Sequence, residues 1–136
     1  MRFMCIVKHS EKPFGVPPSL YEAMNQLNED AAKDGCVKVG QGGLLPTTEG
    51  VRIRLDGGKI SVTDGPFAEA KEVIGGFAIF EAASKADMLK WSRRFMELHR
   101  EHMPGWDGEC EVRQMYGTGE EPCGSAAKAR VAEAAV

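Results

Sequence analysis

Ten residues in the middle of the chain carry the side chains best suited to chemistry. The segment TDGPFAEAKE, residues 63–72 and here called the DGPF segment, places three carboxylates and a lysine between two apolar runs. A carboxylate in such a setting serves as a general base, with burial raising its pKa and a nearby lysine lowering it. Asp64 is the candidate base. The candidate ligand contacts are its neighbours Pro66, Phe67, Glu69, Lys71 and Glu72.

The DGPF segment also has a purely structural interpretation. Asp64, Gly65 and Pro66 are residues of a tight turn, because aspartate bonds to local backbone, glycine tolerates positive φ and proline fixes φ. In this interpretation Lys71 pairs with a carboxylate and the segment stabilises the fold. A roomy polar pocket at Asp64 would favour function, whereas an Asp64 packed against backbone amides would favour structure.

Histidines and cysteines add few candidates for metal or nucleophilic chemistry. His99 and His102 lie three residues apart on a predicted helix, but HREH is not the HExxH zinc pattern and no third ligand is evident. A half-buried His102 on the apolar stripe is the simpler account. The four cysteines include no Cys-x-x-Cys pair, so we predict reduced, structural thiols. The sequence thus predicts neither a metal nor a cofactor.

Composition excludes several classes of function. The chain of 136 residues has 17 lysines and arginines against 20 aspartates and glutamates, giving a net charge of −3. A nucleic-acid-binding protein would show a basic footprint instead. No apolar run approaches the ~18 residues that span a bilayer, and the N-terminal run is too short for a signal peptide. We therefore expect a cytoplasmic domain with no nucleic-acid or membrane partner.

The elements that must position these residues follow the order β-α-β, hairpin, β-α-β. Helix starts are marked by capping-box patterns at Ser19 and Ser84, each followed by an apolar stripe at helical spacing. The alternating runs 51–55 and 60–63 flank Asp-Gly-Gly-Lys and predict a hairpin. The remaining strands are expected over residues 2–8, 36–45, 73–82 and 110–116.

This order predicts a fold class. A split βαβ repeat with an inserted hairpin is typical of a ferredoxin-like α+β sandwich, here spanning residues 1–116. Residues 117–136 hold no large apolar side chain beyond valine, and we expect a flexible tail. On the hairpin, Arg52 and Arg54 share one face; they suit an anionic ligand or, more simply, a solvated strand face that prevents edge pairing.

One strand predicts a partner. Residues 73–82, VIGGFAIFEA, are apolar on both faces, yet two helices cover only one face of a four-stranded sheet. An uncovered apolar face of that size is best buried against a second copy of the chain. We therefore predict a homodimer through the sheet face that the helices leave bare.

The stretch VTDGPFAEAKEVIGGF, residues 62–77, resembles the signature of the YCII-related, DGPF-domain family. That signature is usually written DGPFAETKE, followed by two glycines and an aromatic residue; here Ala70 stands where threonine is usual. The opening RFMCIVK, the GQGGLLP before the hairpin and the closing EVRQMY also resemble family segments. The likeness covers residues 1–116.

The resemblance implies a dimeric α/β-barrel arrangement with two sheets packed face to face. Family members occur in bacteria, often beside genes for extracytoplasmic-function sigma factors, and their activities are mostly unassigned. More distant relatives resemble muconolactone isomerases and dehydrochlorinases, in which proton transfer at a small cyclic substrate is proposed to use a His–Asp pair. Asp64 matches the family aspartate. His9 is the better histidine candidate, because strand ends in this fold open onto the pocket; an exposed loop histidine is the alternative.

Three functions remain open at this point. The first is a cofactor-free isomerase or lyase that acts on a small acid by proton transfer, with Asp64 as base. The second is a non-catalytic module that binds a small ligand, linked to a sigma-factor pathway. The third is a structural dimer in which the DGPF segment stabilises the subunit interface.

Overall fold

The predicted order of elements is confirmed in a computed structural model, which describes residues 1–12 and 14–117. The predicted tail lies, except for Gly117, outside these residues, so the boundary between domain and tail stays a prediction. The elements are β1 Arg2–His9, α1 Pro18–Lys33, β2 Val37–Gly43, a 3₁₀ turn Thr47–Glu49, β3 Val51–Asp56, β4 Lys59–Asp64, β5 Val73–Glu81, α2 Lys85–His102 and β6 Gly108–Gln114.

Four of the strands form one antiparallel sheet in the order β2–β5–β1–β6. With the hairpin set aside, this is the strand order of a split βαβ repeat, and the ferredoxin-like α+β class is confirmed. Side chains alternate across each strand, so Phe3 and Cys5 of β1 face the helices while Met4 and Ile6 face away. Phe77 and Ile79, paired with Ile6 and Met4, share that second face, here called the open face.

The core lies between the sheet and the two helices. One cluster joins Phe3 to Met88 and Cys36, each about 1% exposed. A second cluster joins the helices themselves through Leu20, Leu27 and Leu98, and Trp91 packs against both clusters. The buried apolar side chains Leu20, Leu27 and Ala31 of α1, and Met88 and Leu98 of α2, fall on the apolar stripes predicted from the sequence.

The two helices start differently from one another. Ser84 caps α2 as predicted: its hydroxyl accepts a hydrogen bond from the Asp87 backbone N–H at 3.1 Å. The capping box predicted at Ser19 is wrong, because α1 begins at Pro18 after Pro17 and has no side-chain cap. Proline at the first position already fixes a helical φ. The Ser19 hydroxyl instead lies 3.0 Å from Nδ1 of His102.

The inserted hairpin stands apart from the main sheet. Strands β3 and β4 pair only with each other within the described residues, in a register that sets Ile53 opposite Val62 and Leu55 opposite Ile60. These four side chains are 65–73% exposed. None of the helices in the described ranges is long and apolar enough to cross a membrane.

Candidate functional site

A cavity of about 580 Å³ lies between the sheet and the two helices, on the side away from the open face. Its lining comes from elements far apart in sequence: β1, β2, β5 and β6 of the sheet, both helices, and the two loops before α1 and β6. Most of the wall is apolar or aromatic, with Met24, Phe80, Trp91, Phe95 and Trp106 among its residues. We call this space the helix-side cavity. Its size and apolar lining are typical of a small-molecule site.

His9 lines the helix-side cavity from the end of β1, as expected for a strand end in this fold. Its Nδ1 lies 2.7 Å from the Ser10 carbonyl oxygen. Because a carbonyl only accepts, Nδ1 carries the proton, and in the neutral ring the lone pair is on Nε2. No residue in the described ranges forms a hydrogen bond with Nε2. His9 is therefore positioned with an unengaged nitrogen that can take up a proton.

Gly75 makes room for this ring. A Cβ placed on Gly75 would lie 2.1 Å from Nε2 of His9, so no other residue fits at this position without moving the imidazole. The pairing of β1 with β5 shifts here, since Val7 lies opposite Gly76 and Lys8 opposite Ile74. Gly75 is thus the extra residue of a β-bulge, a feature that often redirects a side chain near a site. Gly75 and Gly76, which follow the DGPF segment, therefore line the cavity and are not part of the turn.

His99 also lines the helix-side cavity, and sequence reasoning missed it as a site residue. It is 8% exposed, and its Nδ1 donates to the Phe95 carbonyl oxygen at 2.9 Å. Desolvation lowers the pKa of His99, against the smaller opposite effect of that hydrogen bond. The imidazole is therefore held neutral at physiological pH. Its position in the sequence, four residues after Phe95 on the apolar stripe, could have indicated that His99 is buried.

Trp106 connects the two histidines. Its ring centroid lies 4.8 Å from that of His99 and 6.3 Å from that of His9. A Cβ on Gly108 would lie 2.3 Å from the indole, so Gly108 leaves the space that the indole occupies. Nothing in the sequence pattern marks Trp106, because it belongs to a short irregular loop between α2 and β6.

A polar group lines the same cavity from the edge strand β2. The Lys38 ammonium donates to the Gln41 side-chain oxygen at 2.7 Å, and both residues line the cavity. A lysine at the border of an apolar pocket is suited to bind an anionic group of a ligand. The cavity therefore combines an apolar body, one cation and one histidine with an unengaged nitrogen.

Asp64 is placed elsewhere. It is exposed at the end of β4, opposite Val51, on the aliphatic face of the hairpin. It does not line the helix-side cavity, and no residue in the ranges 1–12 and 14–117 forms a hydrogen bond or ion pair with its carboxylate. The structure thus does not bring Asp64 and His9 into one pocket of this chain. Their pairing in catalysis stays a prediction.

The turn after Asp64 packs closely against the 3₁₀ turn. The Gly65 backbone N–H donates to the Gly50 carbonyl at 2.8 Å, and a Cβ on Gly65 would lie 1.6 Å from the Thr47 carbonyl oxygen. The Gly65–Pro66 peptide bond is cis. Glycine at this position is required by the close approach of two backbone segments. The turn geometry predicted for Asp-Gly-Pro is therefore wrong in two respects: Gly65 is not among the glycines with positive φ, and the Asp64 carboxylate bonds to no backbone group within the described residues.

Phe67 and Glu69 make local contacts with the hairpin. The Arg52 guanidinium lies 3.8 Å from the centroid of the Phe67 ring and forms an ion pair with Glu69. Hydrogen bonding to its own backbone N–H and to Arg52 lowers the pKa of Glu69. Arg52 is therefore engaged within its own chain rather than forming a free cationic stripe. Lys71 and Glu72 are exposed, and neither side chain forms an ion pair with another described residue.

One chain of hydrogen bonds links the DGPF segment to the neighbourhood of His9. The Phe67 backbone N–H donates to the Thr47 hydroxyl at 3.2 Å. Thr47 in turn donates to the Glu11 carboxylate through its hydroxyl and through its backbone N–H, the latter at 2.9 Å. These bonds lower the pKa of Glu11, which lies two residues after His9. The DGPF segment thus fixes the loop beyond β1 without contacting the cavity.

A ferredoxin-like α+β domain with an apolar cavity between sheet and helices is the class of protein that the fold and these contacts define. Within this class, the chain belongs to the family of the YCII-related domain, whose model matches residues 1–97. The family has no assigned function. A similar protein is an uncharacterised protein of Rhizobium meliloti (strain 1021), 36% identical over 81 residues, which cover 58% of this chain. The chain spans 61% of that relative's length. The family resemblance seen in the sequence is confirmed.

Proposed function

We propose that the chain is a cofactor-free isomerase or lyase that acts on a small acid by proton transfer in the helix-side cavity. The observation that supports this most is His9, which lines the cavity with Nδ1 engaged by Ser10 and Nε2 unengaged. A histidine with one ring nitrogen bonded to a carbonyl and the other unengaged is suited to general acid–base catalysis.

The cavity lining supports the class of substrate. Its aromatic wall suits a compact apolar or cyclic body, and Lys38 supplies a cation for a carboxylate. In this proposal Nε2 of His9 removes a proton from a carbon beside a carbonyl or carboxylate group. Return of that proton to a different carbon completes an isomerisation, and departure of a group from the neighbouring carbon completes an elimination. Asp64 stays a second candidate base, on the hairpin.

Solvent-exchange measurements test this proposal. A panel of small cyclic and unsaturated carboxylic acids is incubated with the protein in D₂O, and carbon-bound deuterium is followed by NMR. We expect exchange in at least one acid, lost in His9→Gln and kept in the matched control His102→Gln, because His102 contacts Ser19 and does not line the cavity. Exchange that survives in His9→Gln would refute the role of His9.

A second candidate function is supported by the aromatic lining of the cavity. Trp91, Phe95 and Trp106 offer a large apolar contact surface for a ligand. A protein that binds a small acid without turning it over, as in the sigma-factor-linked alternative, would use the same wall. Saturable binding by ligand-observed NMR, with no deuterium exchange in any acid bound, would favour this function over the enzyme.

We also propose that the protein acts as a homodimer through the open face. Its centre is apolar, with Met4, Ile6, Phe77 and Ile79 side by side on the paired strands β1 and β5. An isolated hairpin such as β3–β4 is marginal in water, so its exposed aliphatic side chains also call for a covering surface.

The charges that border the open face support a neutral, apolar partner. Arg2 pairs with Glu81 at 2.7 Å, and Lys8 pairs with Glu111 at 2.9 Å. Because these charges are balanced within the chain, the face needs no oppositely charged partner, and a second copy suits it.

Light scattering at micromolar concentration tests the dimer. We expect twice the 14.8 kDa of one chain, and Ile79→Asp should shift the mass toward the monomer. Leu89→Asp is the control, because Leu89 is exposed, at 47%, and lies on α2 rather than on the open face. A stable wild-type monomer would contradict the dimer.

A further inference from the structure

Two cysteines meet in the helix-side cavity. Cys5 of β1 lies opposite Val112, and Cys110 of β6 lies opposite Val7, so the two thiols are diagonal neighbours on one face of the sheet. Both residues line the cavity. Cys5 is only 6% exposed, and the cavity is therefore the space from which a small molecule would reach its sulfur.

The Cys5 sulfur has polar neighbours on α2 and β6. The Ser92 hydroxyl of α2 lies 3.6 Å from it, within hydrogen-bond distance for sulfur, and the Cys110 thiol is its diagonal neighbour on β6. The bond from Cys110 lowers the pKa of Cys5, burial raises it, and the bond from Ser92 lowers it further, with a net lowering. The pKa of Cys110 is raised, which keeps that residue a thiol and a donor. A hydrogen bond from the Ser92 hydroxyl to this sulfur favours its thiolate form.

Cys36 shows what a structural thiol of the same core is like. It is 1% exposed, belongs to the same cluster as Cys5 and does not line the cavity. Burial raises the pKa of Cys36 to about 11. The two buried cysteines thus differ in both properties that control reactivity, access and thiolate character.

We propose that Cys5 is a nucleophilic thiol of the helix-side cavity that adds to small electrophiles of the α,β-unsaturated carbonyl class, with Ser92 and Cys110 as positioning donors. The Cys5 sulfur forms a bond to the β-carbon, and the carbon–carbon π pair shifts to give an enolate. The α-carbon then takes a proton, so that the net change is addition of S–H across the double bond. No oxidant or reductant is needed.

This inference rests on the cavity of the proposed function being open to small molecules. It does not rest on proton transfer at His9, because labelling of Cys5 requires only access and a reactive sulfur. Failure of deuterium exchange with normal labelling would remove the proposed enzyme alone. Normal exchange without labelling would remove the reactive thiol alone.

Maleimide labelling of the folded full-length chain tests the proposal. Cys123 lies outside the described residues and is replaced by serine in every sample. N-ethylmaleimide, an unsaturated carbonyl compound, is added at pH 7, and intact-mass and peptide analysis locate the adduct. We expect modification of Cys5 at least about tenfold faster than that of Cys36, since reactivity follows thiolate fraction and access. Cys5→Ser should abolish the fast adduct, and Cys36→Ser should keep it.

The pH profile of the labelling rate needs no substitution at Cys5. We expect its midpoint to lie below the ~8.5 of a free thiol, and to move upward in Ser92→Ala and in Cys110→Ser. Labelling of Cys5 and Cys36 at equal rates, or of Cys5 only in denaturant, would overturn the proposal. So would a profile centred at or above the free-thiol value.

Discussion

The DGPF segment and the helix-side cavity differ in how their residues are distributed along the chain. The segment is continuous, and three of its residues, Gly65, Phe67 and Glu69, contact the hairpin or the 3₁₀ turn beside them. The cavity draws on four strands, two helices and two loops. A compact motif can thus specify a local connection, whereas the space for a ligand arises where distant elements pack. The most recognisable stretch of a sequence is not for that reason its ligand site.

The two regions also differ in what their charged and polar groups do. In the DGPF segment the described ion pair, Arg52–Glu69, is exposed and satisfied within the chain, and such pairs contribute little to stability. In the cavity, His9 keeps one nitrogen unengaged, and the Cys5 sulfur lies 3.6 Å from the Ser92 hydroxyl. The buried or half-buried groups that a ligand could engage are therefore found in the cavity, whereas Asp64 of the segment is exposed.

The largest effect that we expect tests the structural role of the segment. Gly65→Ala forces a Cβ to within 1.6 Å of the Thr47 carbonyl oxygen, and backbone on both sides cannot yield easily. We expect a loss of about 3 kcal/mol in the free energy of unfolding, the upper end for overpacking. Urea denaturation measures it.

Gly15→Ala is the matched control, because nothing lies within 4 Å of a Cβ at that position. It should be nearly neutral. If Gly65→Ala proved as mild as Gly15→Ala, the segment would not fix the base of the hairpin, and the contrast between the two regions would fail.

A substitution at Gly75 should affect the position of His9 more than it affects stability. Gly75→Ala places a Cβ 2.1 Å from Nε2 of His9, and the imidazole, at the end of a side chain, can swing aside. We expect a stability loss of about 1 kcal/mol, the lower end for overpacking, but a displaced His9. Its ring resonances in NMR should shift strongly, and any deuterium exchange should fall with them. Gly43→Ala, with open space at its Cβ, should leave the His9 resonances and the deuterium exchange unchanged.

Gly75 also shows why the fold was easier to predict than the site. The alternation in β3 and β4, the helical stripes and the Ser84 cap are local patterns, and each was correct. The role of Gly75 depends on a bulge that appears only when β5 pairs with β1. His99 and Trp106 become site residues only when α2 and its following loop pack over the sheet. At Ser19 the local pattern failed, because prolines at 17 and 18 start the helix without a side-chain cap.

The burial of His99 in the cavity wall predicts that the free energy of unfolding depends on pH. Its pKa is lowered in the folded protein, so the unfolded chain binds a proton first as the pH falls below about 6.5, the usual histidine value. Stability should therefore decline with acidification below that pH, by at most about 1.4 kcal/mol per pH unit. Urea denaturation at a series of pH values measures the slope.

Variants separate His99 from the other titrating groups. His99→Gln should reduce the slope between the usual histidine pKa and the lowered one, because it removes the group whose proton uptake differs between the folded and unfolded states. His102→Gln should leave the slope in place. An unchanged slope in His99→Gln would mean that His99 is not the group desolvated by the cavity wall.

The smallest effect that we expect distinguishes the two interpretations of Asp64. If the carboxylate accepted backbone N–H bonds or paired with Lys71, Asp64→Asn would cost about 1–3 kcal/mol, the range for bonds to a charged group. The structure leaves Asp64 exposed, on the aliphatic face of the hairpin, with no such bond within the described residues. We therefore expect Asp64→Asn and Lys71→Met each to change the free energy of unfolding by less than about 0.5 kcal/mol. Thermal melts of both variants check this, and a matching drop in the two would restore the structural role of the pair. Neutral melts would leave Asp64 as a charge that the fold of one chain does not use, available to a ligand or to a second copy.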